Sequence, residues 1–301
     1  EVGHGYPVNA ANPHQDAQLS DMSRLFVVVP PLTSLSIGVT IRRFRPVARD
    51  LQGLVDLGTI DTPLQNFLSA AVRAYQTICI AGGTGTGKTT FLQALTTEFD
   101  ARDRVVTIED TRELQLGHIA DWSDLRVRHA AEKVTEISMS ALVRDALRMR
   151  PTRIILGEAR GGEMVDILTA CNTGHEGTLF TIHANSSQEA IDRMVTLYRM
   201  GQNLDPVEVR KELLSAVRLV VHLKRDNATG RRYVAGVTEL QRLEGTTISM
   251  AHLFTAHGVG PARYTGIAPR CLPLLEERVP DFNLQRDVLA VAQAEGTLSR
   301  V

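Results

Sequence analysis

The residues most able to do chemistry are Gly82-Gly83-Thr84-Gly85-Thr86-Gly87-Lys88-Thr89, which satisfy G-x-x-x-x-G-K-[ST]. They follow a β-rich run, Thr77–Ala81, and lead into a helical pattern, which is the context this motif needs. Glycines let successive backbone N–H groups turn inward around a β-phosphate, and the following helix N-terminus adds positive potential there. Lys88 is placed to bridge to a γ-phosphate, and the Thr89 hydroxyl to ligate Mg²⁺. With Gly near 7% of average sequence, a chance match in a chain this long is about one in a hundred. The chain uses 29 Arg but only four Lys, so the Lys in this slot is not a casual surface choice. The ligands implied are ATP and Mg²⁺.

Three further segments carry acids or histidines at the ends of apolar runs. In Val105-Val-Thr-Ile-Glu109-Asp110-Thr-Arg112-Glu113 the acids stand at the carboxyl end of a predicted strand, where ligands of open α/β sheets bind. Glu109 is the candidate general base for an attacking water, ahead of Asp110 and Glu113. Arg153-Ile-Ile-Leu-Gly-Glu158 has the form of a Walker B strand, but Gly157 holds the place of the usual Asp and Glu158 follows it. An acid one position later is expected to reach Mg²⁺ through a water, because Mg²⁺ keeps most of its hydration shell. Gly174-His175-Glu176 to Thr181-Ile-His183 sets two histidines around another strand, and His183, at the strand's end, could donate to a γ-phosphate oxygen.

These groups need a scaffold, and the patterning supplies one. Thr77–Ala81, Val105–Ile108, Ile154–Leu156 and Leu179–Ile182 read as short strands, with helical patterns between them at Phe91–Phe99 and Leu142–Met149. Alternation of strand and helix predicts a mostly parallel α/β sheet. A helix is predicted from Pro63 to Tyr75, capped by Thr62. Capping boxes are read at Ser186 with Glu189 and at Asp205-Pro206 with Glu208. Arg218–Leu223 and Arg231–Leu240 read as an antiparallel hairpin, followed by a strand over Thr247–Phe254 and a helical tail around Val288–Ala294. Near the start, Leu25–Val29 and Leu35–Ile41 read as strands on either side of Pro30-Pro31, the remnant of a small α+β domain.

Composition narrows the function. The 301 residues are 43% hydrophobic and 22% charged, enough for a substantial core. Thirty-three Lys plus Arg against 34 Asp plus Glu give a net charge of -1, so no global basic field exists to coat nucleic acid. Three Cys, none in a CxxC, argue against a disulfide framework or zinc and fit a reducing cytoplasm. The longest apolar run, Leu25–Leu32, is eight residues and includes two prolines, far short of the roughly 20 a membrane span needs. The chain begins at Glu1 with no signal-peptide pattern and reads as a piece of a longer cytosolic chain.

Taken in order, the four segments resemble the Walker A, Asp box, Walker B and His box of the type II/type IV secretion ATPase superfamily. Val-Pro-Pro-Leu before Thr40-Ile-Arg42-Arg43-Phe44, and Leu-Val-Arg144-Asp-Ala-Leu-Arg148-Met-Arg150-Pro-Thr-Arg-Ile-Ile-Leu-Gly-Glu, look most like its CpaF branch, which serves tight-adherence pili. The resemblance spans roughly residues 20 to 255. It implies a RecA-like P-loop core, a hexameric ring, and an N-terminal domain closing over the nucleotide. By this likeness residues 1–58 are a partial N-terminal domain and linker, 59–255 the ATPase domain and 256–301 an extension. The phosphate loop falls on Gly82 to Thr90, the Asp-box acid on Glu109, the Walker B acid on Glu158, and the His-box histidines on His175 and His183. Arginines reaching the phosphates match Arg42, Arg43 and Arg128 best, with Arg126 a near alternative. The zinc-bearing branch carries paired CxxC motifs that this chain lacks. The implied partner is a polytopic platform protein at the inner face of the membrane.

Two other readings share these motifs. A RecA-like nucleic-acid motor or conjugative DNA-transfer ATPase would need a basic, aromatic-lined channel, and the chain has 5% aromatics and no basic excess. A nucleotide-dependent scaffold would bind ATP and turn it over negligibly.

Overall fold

Apolar residues that alternate about the strand axis let one sheet be covered on both faces, and the chain builds its larger body this way. The computed structural model describes residues 8–34, 36–43, 48–128 and 135–299. It comprises two units: residues 1–47 with Thr111–Glu113, and residues 48–110 with 114–301.

The first unit is an antiparallel sheet of β1 (His14–Gln18), β2 (Arg24–Val28) and β3 (Gly38–Arg42), in that order. β1 lies in a stretch whose polarity reads as loop; its backbone pairs with β2 although its side chains stay half-exposed or exposed. Arg24 holds Glu113 at 2.8 Å, and the Gln18 amide donates to the Arg112 carbonyl. The strand onset expected at Leu35, and Phe44 of the quoted motif, lie outside the described residues.

The second unit opens with α1 (Leu51–Asp56) and α2 (Thr62–Arg73), then β4 (Ile78–Gly82), α3 (Lys88–Thr96), β5 (Arg104–Glu109) and β6 (Asp121–Arg126). α4 (Met139–Arg148), β7 (Arg153–Ala159), α5 (Glu163–Asn172), β8 (Leu179–Ile182), α6 (Ser187–Gly201) and α7 (Pro206–Ala216) follow. The chain ends with β9 (Leu219–Arg225), β10 (Arg232–Glu244), β11 (Thr247–Thr255), β12 (Arg263–Tyr264), α8 (Leu272–Arg278) and α9 (Ala290–Ala294), the last entered through a π-turn at Gln285–Leu289. All nine strands form one sheet, ordered β12-β11-β10-β9-β4-β8-β7-β5-β6. From β9 to β6 the neighbours are parallel, and β10 to β12 are antiparallel.

β4 shows the layering: Ile78 and Ile80 pack into one core with Phe67, Phe91 and Phe254, while Cys79 and Ala81 face the other with Met164, Phe180 and Met194. The unit boundary falls ahead of the expected linker at 58, because Ala48, Leu51 and Leu54 already bury in the first of these cores. Residues beyond 256 belong to the same unit: Leu275, Val288 and Ala292 are fully buried in that core. The buried Glu239 carboxylate accepts the Arg270 and Cys271 amides at 2.7 and 2.8 Å, tying the C-terminal segment to β10.

Several local details differ from the sequence reading. α2 is capped by Asp61, whose carboxylate accepts the Leu64 amide, rather than by Thr62. Ser186 caps α6 as expected, but Glu189 reaches back to the Asn185 amide, one residue beyond the expected partner. Asp205 accepts from Val207 and leaves Glu208 out of the cap. β6, DWSDLR, carries too much charge for its pattern to stand out, and registers only once paired with β5.

Candidate nucleotide site

Four parallel strands end side by side, β4, β8, β7 and β5, and each delivers one chemical group at its carboxyl end. β4 runs into the loop 83–87. Gly85 and Gly87 adopt positive φ of 74° and 93°, the left-handed conformation glycine tolerates. A Cβ on Gly82 would meet the Thr86 hydroxyl at 2.5 Å and the Leu223 carbonyl at 3.0 Å, so the strand end closes this tightly only without a side chain. The Thr86 hydroxyl donates to the Gly83 carbonyl at 2.9 Å, and Thr84 lies exposed at the tip. Lys88 opens α3 and is folded over the loop, its Nζ donating to the carbonyls of Gly82 and Gly83 at 2.9 and 3.1 Å. Thr89 and Thr90 follow in the first turn, both half-buried.

The next group is His183, just past β8. Its Nε2 is 3.4 Å from Lys88 Nζ and 2.5 Å from Glu158 Oε1. Burial, and then the Lys88 charge, hold the imidazole below its ordinary pKa, with Glu158 opposing them. Glu158 is aimed by an irregularity: β7 and β8 pair Leu156 with Phe180 and Ala159 with Ile182, so β7 carries one extra residue across Gly157–Glu158. Such bulges re-aim side chains beside sites. Glu158 Oε2 accepts from Arg160 Nε and Nη2 at 2.8 and 2.5 Å, and Arg160 Nη1 also stands 3.6 Å from Asp110.

Glu109, the last residue of β5, is buried and accepts the Leu114 amide at 3.2 Å. Its Cγ would lie 3.0 Å from a Cβ on Gly157. That contact explains the departure from the usual Walker B pattern, because the glycine clears room for the Glu109 side chain. Of the three acids weighed after β5, Glu109 accepts the Leu114 amide and lies over Gly157, Asp110 stands 3.6 Å from Arg160, and Glu113 pairs with Arg24 in the first unit.

The other expected site residues are distributed differently. His175 precedes β8 and so lies at the amino end of the sheet, away from the loop; its backbone amide donates to the Ala170 carbonyl. Arg126 ends β6 and Arg128 lies two residues beyond, exposed, with its Nε donating to the Thr135 carbonyl at 3.0 Å. β6 is four strands from β4, about 19 Å at ordinary strand spacing. Arg42 ends β3 and Arg43 follows it, both exposed, in the first unit.

Some site residues carry no sequence motif. Arg160 has a faint signal, sitting two residues after Glu158 on the same strand side. Asn185, two residues past His183 in the same segment, has its Oδ1 3.6 Å from where a Cβ on Gly83 would lie, whereas Arg225 and Arg232, which approach the loop from β9 and β10, have no such signal. Only the sheet order brings them there.

With that geometry fixed, comparison with known proteins identifies the fold's relatives. Residues 8–271 match the family described as Type II/IV secretion system protein. The chain belongs to that family. The putative conjugal transfer protein Rv3659c of Mycobacterium tuberculosis (strain ATCC 25618 / H37Rv) is 38% identical over 247 residues, 80% of this chain and 70% of that protein. The type IV secretion system protein PtlH of Bordetella pertussis is 36% identical over 241 residues, 72% of this chain and 71% of its own length. Among solved structures, the VirB11 ATPase of the Brucella suis type IV secretion system, in complex with sulphate, aligns with a TM-score of 0.53 at 29% identity, over 77% of this chain and 75% of that one. The pilus retraction motor PilT with bound ADP shares the fold, with a TM-score of 0.54 at 20% identity over 93% of this chain and 69% of that one.

The chain is therefore an ATPase of the type II/IV secretion system family, built on an α/β core with a small antiparallel N-terminal sheet. Among the described residues no helix is long and apolar enough to cross a membrane, and no cluster of three or more His, Cys, Asp or Glu could hold a metal. A Mg²⁺ ion fits what is present: a loop that supplies backbone N–H groups for phosphate, a Thr89 hydroxyl with no partner among the described residues, and a carboxylate, Glu158, close by. Such a donor set suits an ion that keeps its waters and leans on substrate phosphates.

Proposed function

We propose that this chain is the ring-forming ATPase of a tight-adherence-type pilus or related secretion apparatus, docking on a polytopic membrane protein from the cytoplasmic side. The observation that supports it most is the row of Lys88, His183, Glu158 and Glu109 on the ends of four adjacent parallel strands. In this reading the loop 82–90 binds the ATP phosphates, and Lys88 leaves the Gly82 and Gly83 carbonyls for the terminal phosphate. Thr89 and Glu158 are the residues that would hold Mg²⁺, which would neutralise charge on the phosphates. Glu109, oriented by the Leu114 amide and packed over Gly157, takes the proton from the attacking water. His183, kept neutral by burial and by Lys88, donates to the γ-phosphate. Arg42 and Arg43 are assigned to phosphate binding on the family resemblance alone.

Arg128 acts on a neighbouring copy's nucleotide, since its place on the far edge of the sheet puts its own loop beyond the reach of one side chain. Arg128→Ala and Glu109→Gln then damage different halves of a shared site. Each variant alone should be nearly inactive, the first by roughly 10³-fold or more and the second by ~10²-fold or more. Mixed after dissociation and reassembly, they rebuild intact sites at about a quarter of interfaces, and phosphate release should return. No recovery from verified mixed rings removes the shared-site assignment.

Rv3659c is named a putative conjugal transfer protein, which keeps a DNA-moving apparatus as the competing reading. With a net charge of -1, duplex or single-stranded DNA should not stimulate phosphate release at physiological salt. Strong stimulation would favour DNA transfer over pilus assembly.

A further inference from the structure

The phosphate loop has two flanks. β4 pairs on one side with β8, which leads to His183, Glu158 and Glu109, and on the other with β9. With the reacting terminal phosphate placed among the acids and histidine, the β9 flank is the side of the loop away from the reacting atoms. That flank is cationic.

Arg225 ends β9, Arg232 begins β10, and the two are direct cross-strand partners. Like charges set opposite one another in a sheet are destabilising, so this placement calls for a counter-charge. Among the described residues none is provided. Arg232 Nε donates to the Gly85 carbonyl at 2.8 Å, which fixes the outside of the loop, and has no acid partner among the described residues. Arg225 likewise has neither ion pair nor hydrogen bond to a described residue. The nearest acid in sequence, Asp226, spends its carboxylate within the turn, accepting from the amide and hydroxyl of Thr229. Arg231 points away, its Nη2 donating to the Gly58 carbonyl.

The free guanidinium lies against two glycines, one of them in the loop. A Cβ on Gly85 would stand 3.6 Å from Arg225 Nη1, and one on Gly230 would stand 3.8 Å from Nη2. Arg225 is thus exposed, unneutralised, and directly beside the apex of the loop.

We propose that Arg225, opposite Arg232, forms an anion subsite on the β9 flank of the loop that takes the phosphates common to ADP and ATP, with Arg232 positioning the loop. This rests on the assignment of nucleotide to the loop 82–90. It makes Arg225 a ground-state binding residue: its contact is present before and after the γ-phosphate is cleaved, so it lowers the Kd of both nucleotides and the KM, with little effect on kcat.

The test is titration of the full chain with a fluorescent ADP analogue, together with steady-state ATP hydrolysis. Arg225→Ala should weaken ADP binding and raise the KM for ATP by about tenfold each, the scale of one charge-assisted hydrogen bond. Saturated turnover should stay within about twofold, since a contact made equally in ground and transition states does not alter kcat. Arg225→Lys should recover part of the affinity, because it keeps the charge and loses the fork. Unchanged ADP affinity overturns the proposal. So does a fall in kcat at unchanged ADP affinity, because Arg225 would then face the γ-phosphate. Gly87→Val, which forces a side chain into the left-handed turn of the loop, is the control: if it binds ADP as the parent does, the loop assignment itself fails; if it loses binding while Arg225→Ala does not, only the arginine subsite fails.

Discussion

The two ends of the central sheet are both held by arginine and carboxylate, yet they are solvated in opposite ways. At the amino end, Arg153 begins β7 and is 1% exposed; its Nε donates to Asp103 at 2.6 Å. Its guanidinium lies over the rings of Tyr75 and Phe99, at 3.8 and 4.3 Å. Asp103 also accepts from the Tyr75 hydroxyl and from Thr152. At the carboxyl end, Arg160 and Glu158 are 62% and 18% exposed, with His183 at 45%. A dry, hydrogen-bonded pair is a fixture, because removing one partner strands a buried charge. Wet pairs are worth at most about 1 kcal/mol and can be traded for a ligand at little cost. One end holds the strands in place, and the other is left free to exchange partners.

The sharpest way to break this contrast is at the dry end. Arg153→Ala should lower stability by about 3–5 kcal/mol, read as a fall in the urea midpoint, with the nucleotide loop untouched in sequence. A loss under 1 kcal/mol would place Arg153 with the exchangeable surface pairs. At the wet end, Lys88→Ala should invert the pattern: turnover falls by ~10²–10³-fold or more while the urea midpoint moves little, because the charge serves the phosphates. Retention of half the parent's phosphate release would remove Lys88 from the chemistry.

The smallest effect concerns pH. His222, paired with Ala81 beside the loop, is held at about 4 by burial, with Lys224 adding repulsion and Glu189 opposing. Its unfolded value is near 6.5, so the unfolded chain takes up the proton first as pH falls. Its stabilising contribution is whole above pH 6.5 and is lost on descent toward 4, about 2 kcal/mol by pH 5. His222→Asn should therefore lose less stability than the parent between pH 7 and pH 5. Equal losses would assign the acid sensitivity to other groups.

Much of this contrast was legible in the residues. The loop, Glu109, Glu158 and His183 announce themselves because each closes an apolar run, and strand ends of a parallel sheet share one edge. The strands Leu179–Ile182 and Thr247–Phe254 and the hairpin around Asp226 are patterned strongly enough to read directly. β1 and β6 are not, since HQDAQ and DWSDLR owe their extended state to backbone pairing with a neighbour rather than to alternation. The arginines beside the loop were hidden for another reason. Arg225 and Arg232 meet Gly85 only because β9 sits next to β4, and sheet order is not encoded in local spacing. His175 shows the converse: its motif places it near His183 in sequence, and the length of β8 carries the two to opposite ends.

Gly157 ties two distant stretches of sequence into a single choice. Because the Glu109 side chain fills the space above it, an aspartate restored at 157 would not simply add an acid to the site. It would press on the Glu109 Cγ and, in the proposed mechanism, disturb the carboxylate that the Leu114 amide holds. A mutational path toward the commoner pattern has to shorten residue 109 before it fills residue 157. Each position sets what the other tolerates, and the order in which the two change decides whether the intermediate can work.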